Sequence, residues 1–187
     1  MKELSLHILD IVQNSIRAEA DRIGISIVED TAADRFTLSV EDNGKGMTVE
    51  QVTKAIDPFF TTRTTRRVGL GLSLLKAATE RCAGEFKVTS TPGRGTKVTA
   101  VFQRSHWDRA PLGDMAATMI TLVASNPELD FSYSHRVDER EYSFDTAEVR
   151  KVLGDVPLND PSVLAVLRKD IAEGLAELQT KDALPKR

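Results

Sequence analysis

The sequence predicts an α+β fold: a two-layer sandwich of helices on one sheet, followed by a small α+β C-terminal domain. Three observations carry that expectation. The first segment repeats apolar residues at helical spacing. Four later segments alternate with period two. Turn chemistry rich in Gly and Pro separates them. The resulting order (helix, strand, strand, helix, helix, strand, strand) suits helices packed on one face of a sheet.

From about Leu4 to Ala20, the residues Leu4, Ile8, Ile11 and Val12 share one stripe, which Ser15 and Ile16 extend. Ile23, Ile25 and Ile27 alternate with small or polar residues, and so do Phe36, Leu38 and Val40. Both read as strands, joined by the polar stretch Glu29 to Arg35. Asp42-Asn43-Gly44-Lys45-Gly46 ends the second strand with a turn. Thr48 and Gln51 form a capping-box pattern that starts a helix through Ile56, and Pro58 stops it. Phe59 to Arg67 is basic and aperiodic, a loop. Gly69-Leu70-Gly71 opens a helix with Leu72, Leu75, Ala78 and Thr79 at its periodic positions, and Gly84 is placed to cap it. Phe86 and Val88 begin a third strand. Pro92-Gly93-Arg94-Gly95 turns the chain, and Val98, Ala100 and Phe102 form the fourth strand. The segment around His106 to Pro111 breaks the pattern. The expected division is therefore 1–104 for the first domain, 105–111 for a linker, 112–179 for a small C-terminal domain and 180–187 for a solvated tail. Within 112–179 the pattern predicts a helix (Leu112 to Ala124) and two short strands (Phe131 to Val137 and Glu141 to Phe144). Helices near Thr146 to Leu153 and Pro161 to Leu178 complete it.

The chain has 187 residues, of which 41% are hydrophobic and 28% charged, ordinary values for a globular protein with a sizeable core. A net charge of -3 gives no global electrostatic attraction to nucleic acid or anionic lipid. A single cysteine, Cys82, rules out an intrachain disulfide. Glu3 and Asp10 interrupt the first apolar segment, so it does not read as a signal peptide, and no apolar run is long enough to cross a bilayer. These features predict a cytoplasmic chain without membrane or nucleic-acid partners.

Three glycine pairs stand at element boundaries: Gly44/Gly46, Gly69/Gly71 and Gly93/Gly95. Any one alone is a turn or a cap. None completes a dinucleotide fingerprint or a P-loop. In order, however, they join DIVQNSIRA (Asp10 to Ala18), EDNGKGM (Glu41 to Met47), DPFFTT (Asp57 to Thr62), VGLGL (Val68 to Leu72) and GRGTKV (Gly93 to Val98). This ordered set, spanning roughly residues 1 to 104, resembles the GHKL ATPase superfamily: histidine kinase catalytic domains, type II topoisomerases, mismatch-repair ATPases and one class of heat-shock chaperone. The wording DPFFTT…GLGL is most similar to the histidine kinase branch.

The resemblance implies a Bergerat-type fold that binds ATP with Mg²⁺. It implies that Asn14 supplies an amide oxygen to the metal, a hard ligand of the kind magnesium accepts. It implies that Asp42 accepts a hydrogen bond from the adenine amino group, that Gly44, Gly46 and Met47 lie against the base, and that Thr96 completes the adenine network. Gly69, Leu70, Gly71 and Leu72 would stand at the phosphates, where exposed amides and a helix dipole favour an anion. Arg63, with Arg66 and Arg67, falls in the segment that resembles the family's ATP lid. Phe59 and Phe60 read equally as lid packing or as plain core.

One departure concerns the acceptor. Histidine kinases carry a phosphoacceptor histidine on an upstream hairpin, and the nucleotide-binding helix here starts near residue 1. His7 reads as structural, and neither His106 nor His135 has an acceptor context. Another departure is Asp10, four residues before Asn14 on the same helix face. The ATP-hydrolysing relatives and the anti-sigma serine kinases have a glutamate there, which polarises the attacking water or hydroxyl, so Asp10 is the candidate base. Three readings stand: an ATPase or kinase acting on the γ-phosphate, a kinase acting in trans on His, Ser or Thr of a partner, and a non-enzymatic ATP sensor. A protein partner or a second copy would meet the C-terminal domain.

Overall fold

The computed structural model describes residues 2–57 and 71–180. The first half runs α1 (Leu4–Arg17), β1 (Arg22–Asp30), β2 (Arg35–Asp42), α2 (Val49–Ala55), α3 (Gly71–Arg81), β3 (Glu85–Thr91) and β4 (Gly95–Gln103). The second half runs α4 (Met115–Ser125), β5 (Asp130–Val137), β6 (Arg140–Asp145), α5 (Thr146–Leu153) and α6 (Pro161–Thr180). The strands form one six-stranded sheet in the order β3-β4-β2-β1-β5-β6. Every neighbouring pair is antiparallel except β1 and β5, which run parallel from Arg22↔Asp130 to Glu29↔Val137.

Period two in the sequence becomes two unlike faces. Ile23, Ile25, Ile27, Phe36, Leu38, Val40, Val98, Ala100, Phe102, Phe131 and Tyr133 are buried and share one core with the helices. Ser26, Ser39, Ser132 and Ser134 alternate with them and are only half-buried. Helix α1 contributes Leu4, Ile8, Ile11 and Val12 to the core, each at most 3% exposed. Burying each is worth about 1.5–3 kcal/mol. Its N-cap, Glu3, makes no side-chain cap, a loss of roughly 1 kcal/mol. Packing therefore decides that this segment is helical. Its first amides are satisfied from a distance: Leu4 N–H donates to the Pro111 carbonyl at 2.9 Å and Ser5 N–H to that of Leu112 at 2.8 Å.

Those two bonds bear on the expected linker. Residues 105–111 connect the two halves, but their end closes the first turn of α1. The small C-terminal unit expected over 112–179 supplies β5 and β6 to the same sheet. Its Met115, Met119, Leu122, Phe131, Tyr133 and Ile171 belong to the same core as Leu4 and Ile23. Sheet and core run unbroken across the expected boundary.

Helix α2 starts as its sequence predicts: Thr48 Oγ1 accepts from Gln51 N–H at 3.3 Å while Gln51 Oε1 accepts from Thr48 N–H at 2.8 Å. Helix α3 ends differently in detail. Gly84 takes part in the ending, its N–H donating to the Thr79 carbonyl at 2.9 Å, but the left-handed residue is Ala83, at φ 50°. Position 84 is glycine for want of space, since a Cβ there would lie 1.9 Å from the Val101 carbonyl oxygen.

Candidate functional site

Asp42 ends β2 opposite Thr96 at the start of β4. Its Oδ1 accepts two backbone amides, Gly44 N–H at 3.0 Å and Thr96 N–H at 3.2 Å. Its Oδ2 accepts the Ser15 hydroxyl at 2.6 Å. Ser15 also faces the Ile11 carbonyl at 3.3 Å, but it has one proton, and the short charge-assisted bond takes it. The carboxylate is thus fixed from three sides, and a lone pair on Oδ2 stays available. Beside it Ser90 Oγ accepts Met47 N–H at 2.8 Å and donates to the Gly95 carbonyl at 2.9 Å. With its proton so used, Ser90 receives the Thr96 hydroxyl at 2.8 Å, and Thr96 Oγ1 is left as an acceptor.

The loop after Asp42 is threaded through close backbone contacts. A Cβ on Gly44 would lie 2.6 Å from the Ala18 carbonyl oxygen. Gly46, at φ 64°, would place one 2.0 Å from the Thr91 oxygen, and Gly95, at φ 98°, one 1.8 Å from the Asp42 oxygen. Gly46 and Gly95 answer two demands at once, a left-handed backbone and contact without a side chain, whereas Gly44 answers only the second. Gly93 offers the comparison: its φ is 74°, but nothing lies within 4 Å of its Cβ position. Gly95→Ala is expected to cost about 1–2 kcal/mol for the backbone and about 1–3 kcal/mol more for overpacking. Gly93→Ala is expected to cost only the first. Urea unfolding of the two variants measures the gap, and equal losses would refute the overpacking account.

The second half of the site lies along α1. Asn14 is half-buried, and its Oδ1 accepts only a 3.3 Å bond from an Arg17 N–H. Asp10 is exposed one turn earlier. It abuts the first described residue of α3: a Cβ on Gly71 would lie 2.9 Å from Asp10 Cβ and 3.4 Å from its Oδ2. Gly71 and Leu72 are buried at that helix start. Arg63, Gly69 and Leu70 lie outside the described residues, as do Phe59, Phe60, Arg66 and Arg67. Among the described candidates, the structure gathers Asp42, Gly44, Gly46, Met47 and Thr96 at the sheet end of α1, and Asp10 with Gly71 at its α3 side.

Residues 2–106 match the family described as histidine kinase-, DNA gyrase B- and HSP90-like ATPase. The chain belongs to this family. Membership brings ATP binding with it. Three relatives illustrate its spread. Sensor histidine kinase YxdK of Bacillus subtilis is 32% identical over 108 residues, covering 54% of this chain and 33% of that protein. Sensor protein kinase FleS of Pseudomonas aeruginosa is 38% identical over 94 residues, covering 50% and 23%. The anti-sigma F factor of Caldanaerobacter subterraneus is 39% identical over 85 residues, covering 44% and 55%. The chain thus spans about half or less of the length of these relatives. Among solved structures, the N-terminal domain of a DNA repair protein superposes with a TM-score of 0.51 at 16% identity, covering 76% of this chain and 52% of that one. That likeness is one of fold.

Two residues that brace the candidate site, Ser15 and Ser90, were not singled out in the sequence. Ser15 had a signal: it is a hydroxyl on the apolar stripe of α1, and a buried hydroxyl needs a partner. Ser90 had none, since its role depends on three segments meeting. Among the described residues, no helix is long and apolar enough to cross a membrane.

Proposed function

We propose that this chain is a cytoplasmic, regulatory ATPase or kinase that acts on the γ-phosphate of Mg-ATP. The observation that supports this most is the seat of Asp10 against Gly71. The family resemblance puts the phosphates at the start of α3, and Asp10 reaches that helix start from the same face of α1 that carries Asn14. Asp42 and Thr96 would hold adenine at the other end. A water or hydroxyl would attack the γ-phosphorus, its proton passing to Asp10, as the bond to the bridging oxygen breaks and ADP leaves.

The residues present suit a magnesium ion. Asn14 Oδ1 keeps a lone pair beyond its long contact with Arg17. Among the described residues no group of three or more His, Cys, Asp or Glu is placed to hold a metal. The ion's remaining ligands would then be phosphate and water, as magnesium prefers. Asn14→Ala is accordingly expected to weaken ATP binding in Mg²⁺ and to leave it unchanged in EDTA. Equal losses in both conditions would remove the metal role.

Similarity to an anti-sigma factor favours a second reading, transfer in trans to His, Ser or Thr of a partner protein. Such a partner, or a second copy, would meet residues 112–179, where Val152 and Val166 are 87% and 68% exposed. Incubation with γ-labelled ATP and Mg²⁺ separates the cases: free phosphate marks hydrolysis, and label on an added partner marks transfer. Neither product, with ATP still bound, marks a sensor.

A further inference from the structure

Trp107, the chain's single tryptophan, is 99% exposed. An indole left in water forgoes a large burial, and tryptophan is among the residues most enriched as anchors of protein interfaces. The turn that carries it is well fastened. Arg109 N–H donates to the His106 carbonyl at 3.1 Å and Asp108 N–H to His106 Nδ1 at 3.1 Å. Arg109 Nε–H donates to the Arg104 carbonyl at 2.7 Å, and its guanidinium lies 4.9 Å from the centre of the buried Phe36 ring. The indole is thus held out on a fixed base, and little ordering is needed for it to bind.

Beside this knob is a hole. A cavity of about 290 Å³ opens between α1 and α3, and none of its lining residues belongs to the nucleotide site. Leu4, Cys82 and Phe102 are buried in its wall, while the exposed Leu74, Arg81 and Asp108 stand at its mouth. An apolar cavity of about 150 Å³ holds a single benzene ring, so this one admits the fused pair of an indole. Arg81 and Asp108 bring opposite charges to the same mouth. Yet among the described residues neither side chain forms an ion pair or a hydrogen bond. Asp108 follows Trp107 directly, so knob, hole and both charges share one patch.

We propose that this patch joins two copies of the chain about a two-fold axis, Trp107 of each filling the cavity of the other. In such a contact residue i meets j and j meets i. The operation that seats Trp107 in the cavity also carries Asp108 of each copy to the mouth where Arg81 of the other stands. A foreign protein would have to match a knob, a hole and two charges in one patch; a second copy matches them by construction. The face lies on the side of α3, which packs on β3 and β4, whereas α6 packs on β5 and β6 at the other side of the sheet. The exposed Val166 of α6 stays open to a different partner.

Because Trp107 is the single tryptophan, its emission reports on this contact alone. The full chain, without nucleotide, is followed by sedimentation equilibrium and by tryptophan fluorescence from micromolar to millimolar concentration. Dimer should form as concentration rises, and in step with it the emission should shift to the blue and resist quenching by acrylamide. Trp107→Ala should weaken the dimer by at least about 30-fold, the mark of an interface anchor. Ala78→Leu, which narrows the cavity, should weaken it too and leave the indole open to acrylamide. Arg81→Asp and Asp108→Arg should each weaken it, and the two together should restore it. The proposal is overturned if the chain stays monomeric with an exposed indole throughout. It is equally overturned if a dimer forms while Trp107 stays exposed, or if the double charge reversal is no tighter than the singles. The wild-type fluorescence decides even if a variant fails to fold. No arm contains ATP, so failure here leaves the nucleotide reading standing, and the reverse holds too.

Discussion

Asp42→Asn is expected to lower the affinity for adenine nucleotide by roughly 10- to 150-fold, the equivalent of about 1.5–3 kcal/mol for a hydrogen bond to a charged group. The geometry dictates which way the amide turns. Oδ1 takes the rigid backbone donors of Gly44 at 3.0 Å and Thr96 at 3.2 Å, so the amide oxygen must stay there. The NH₂ then replaces Oδ2. Ser15 adapts by turning its proton to the Ile11 carbonyl, already 3.3 Å away, and accepting from the amide. The fold keeps its bonds, while the pocket presents a donor to the adenine amino group, itself a donor. Titration with a fluorescent ATP analogue measures the loss, and the unfolding midpoint checks the fold. Unchanged affinity in a folded variant would sink the adenine assignment.

A larger effect is expected at Asp10. If it takes the proton of the attacking group, Asp10→Asn lowers phosphate release by roughly 10²–10⁴-fold. Nucleotide affinity hardly moves, because the group acts on the nucleophile rather than on the bound ATP. Asp10→Glu keeps or raises the rate, since it restores the longer side chain that the resemblance puts in this place. A pure sensor predicts negligible release from all three proteins. Phosphate release normalised to bound nucleotide distinguishes them, and wild-type turnover that survives Asp10→Asn would end the base assignment.

Local chemistry was legible in the sequence; meetings between distant segments were not. The capping box at Thr48 and Gln51, the alternation in Ile23–Ile27 and Phe36–Val40, and the helix Thr146–Leu153 all emerge as read, because each is determined within a few residues. The parallel pairing of β1 with β5 joins residues more than a hundred positions apart, as in Arg22↔Asp130, and no local pattern announces it. Residues 112–179 therefore read as a separate unit. The site divides in the same way. Asp42, Gly46 and Thr96 stand out as motif residues, but that Ser90 binds Met47, Gly95 and Thr96 together depends on a turn folding back on a loop. The contact of Asp10 with Gly71 likewise arises only when α3 docks on α1.

The parallel pairing also has a colloidal consequence. The matched family region ends at residue 106, and its strands alone would leave β1 as an open border: a nine-residue strand, paired with β2 on one side, whose alternate amides and carbonyls face outward unpaired beside an isoleucine-rich face. Such a border is a template on which any extended chain can crystallise into a growing ribbon. Here β5 consumes it from within the same molecule, and the free border moves out to β6, which has six residues with Arg140 at one end and Asp145 at the other. Brevity and terminal charge are two of the means by which sheets refuse further strands. The C-terminal third of the chain thus makes a sheet that is finished rather than extensible.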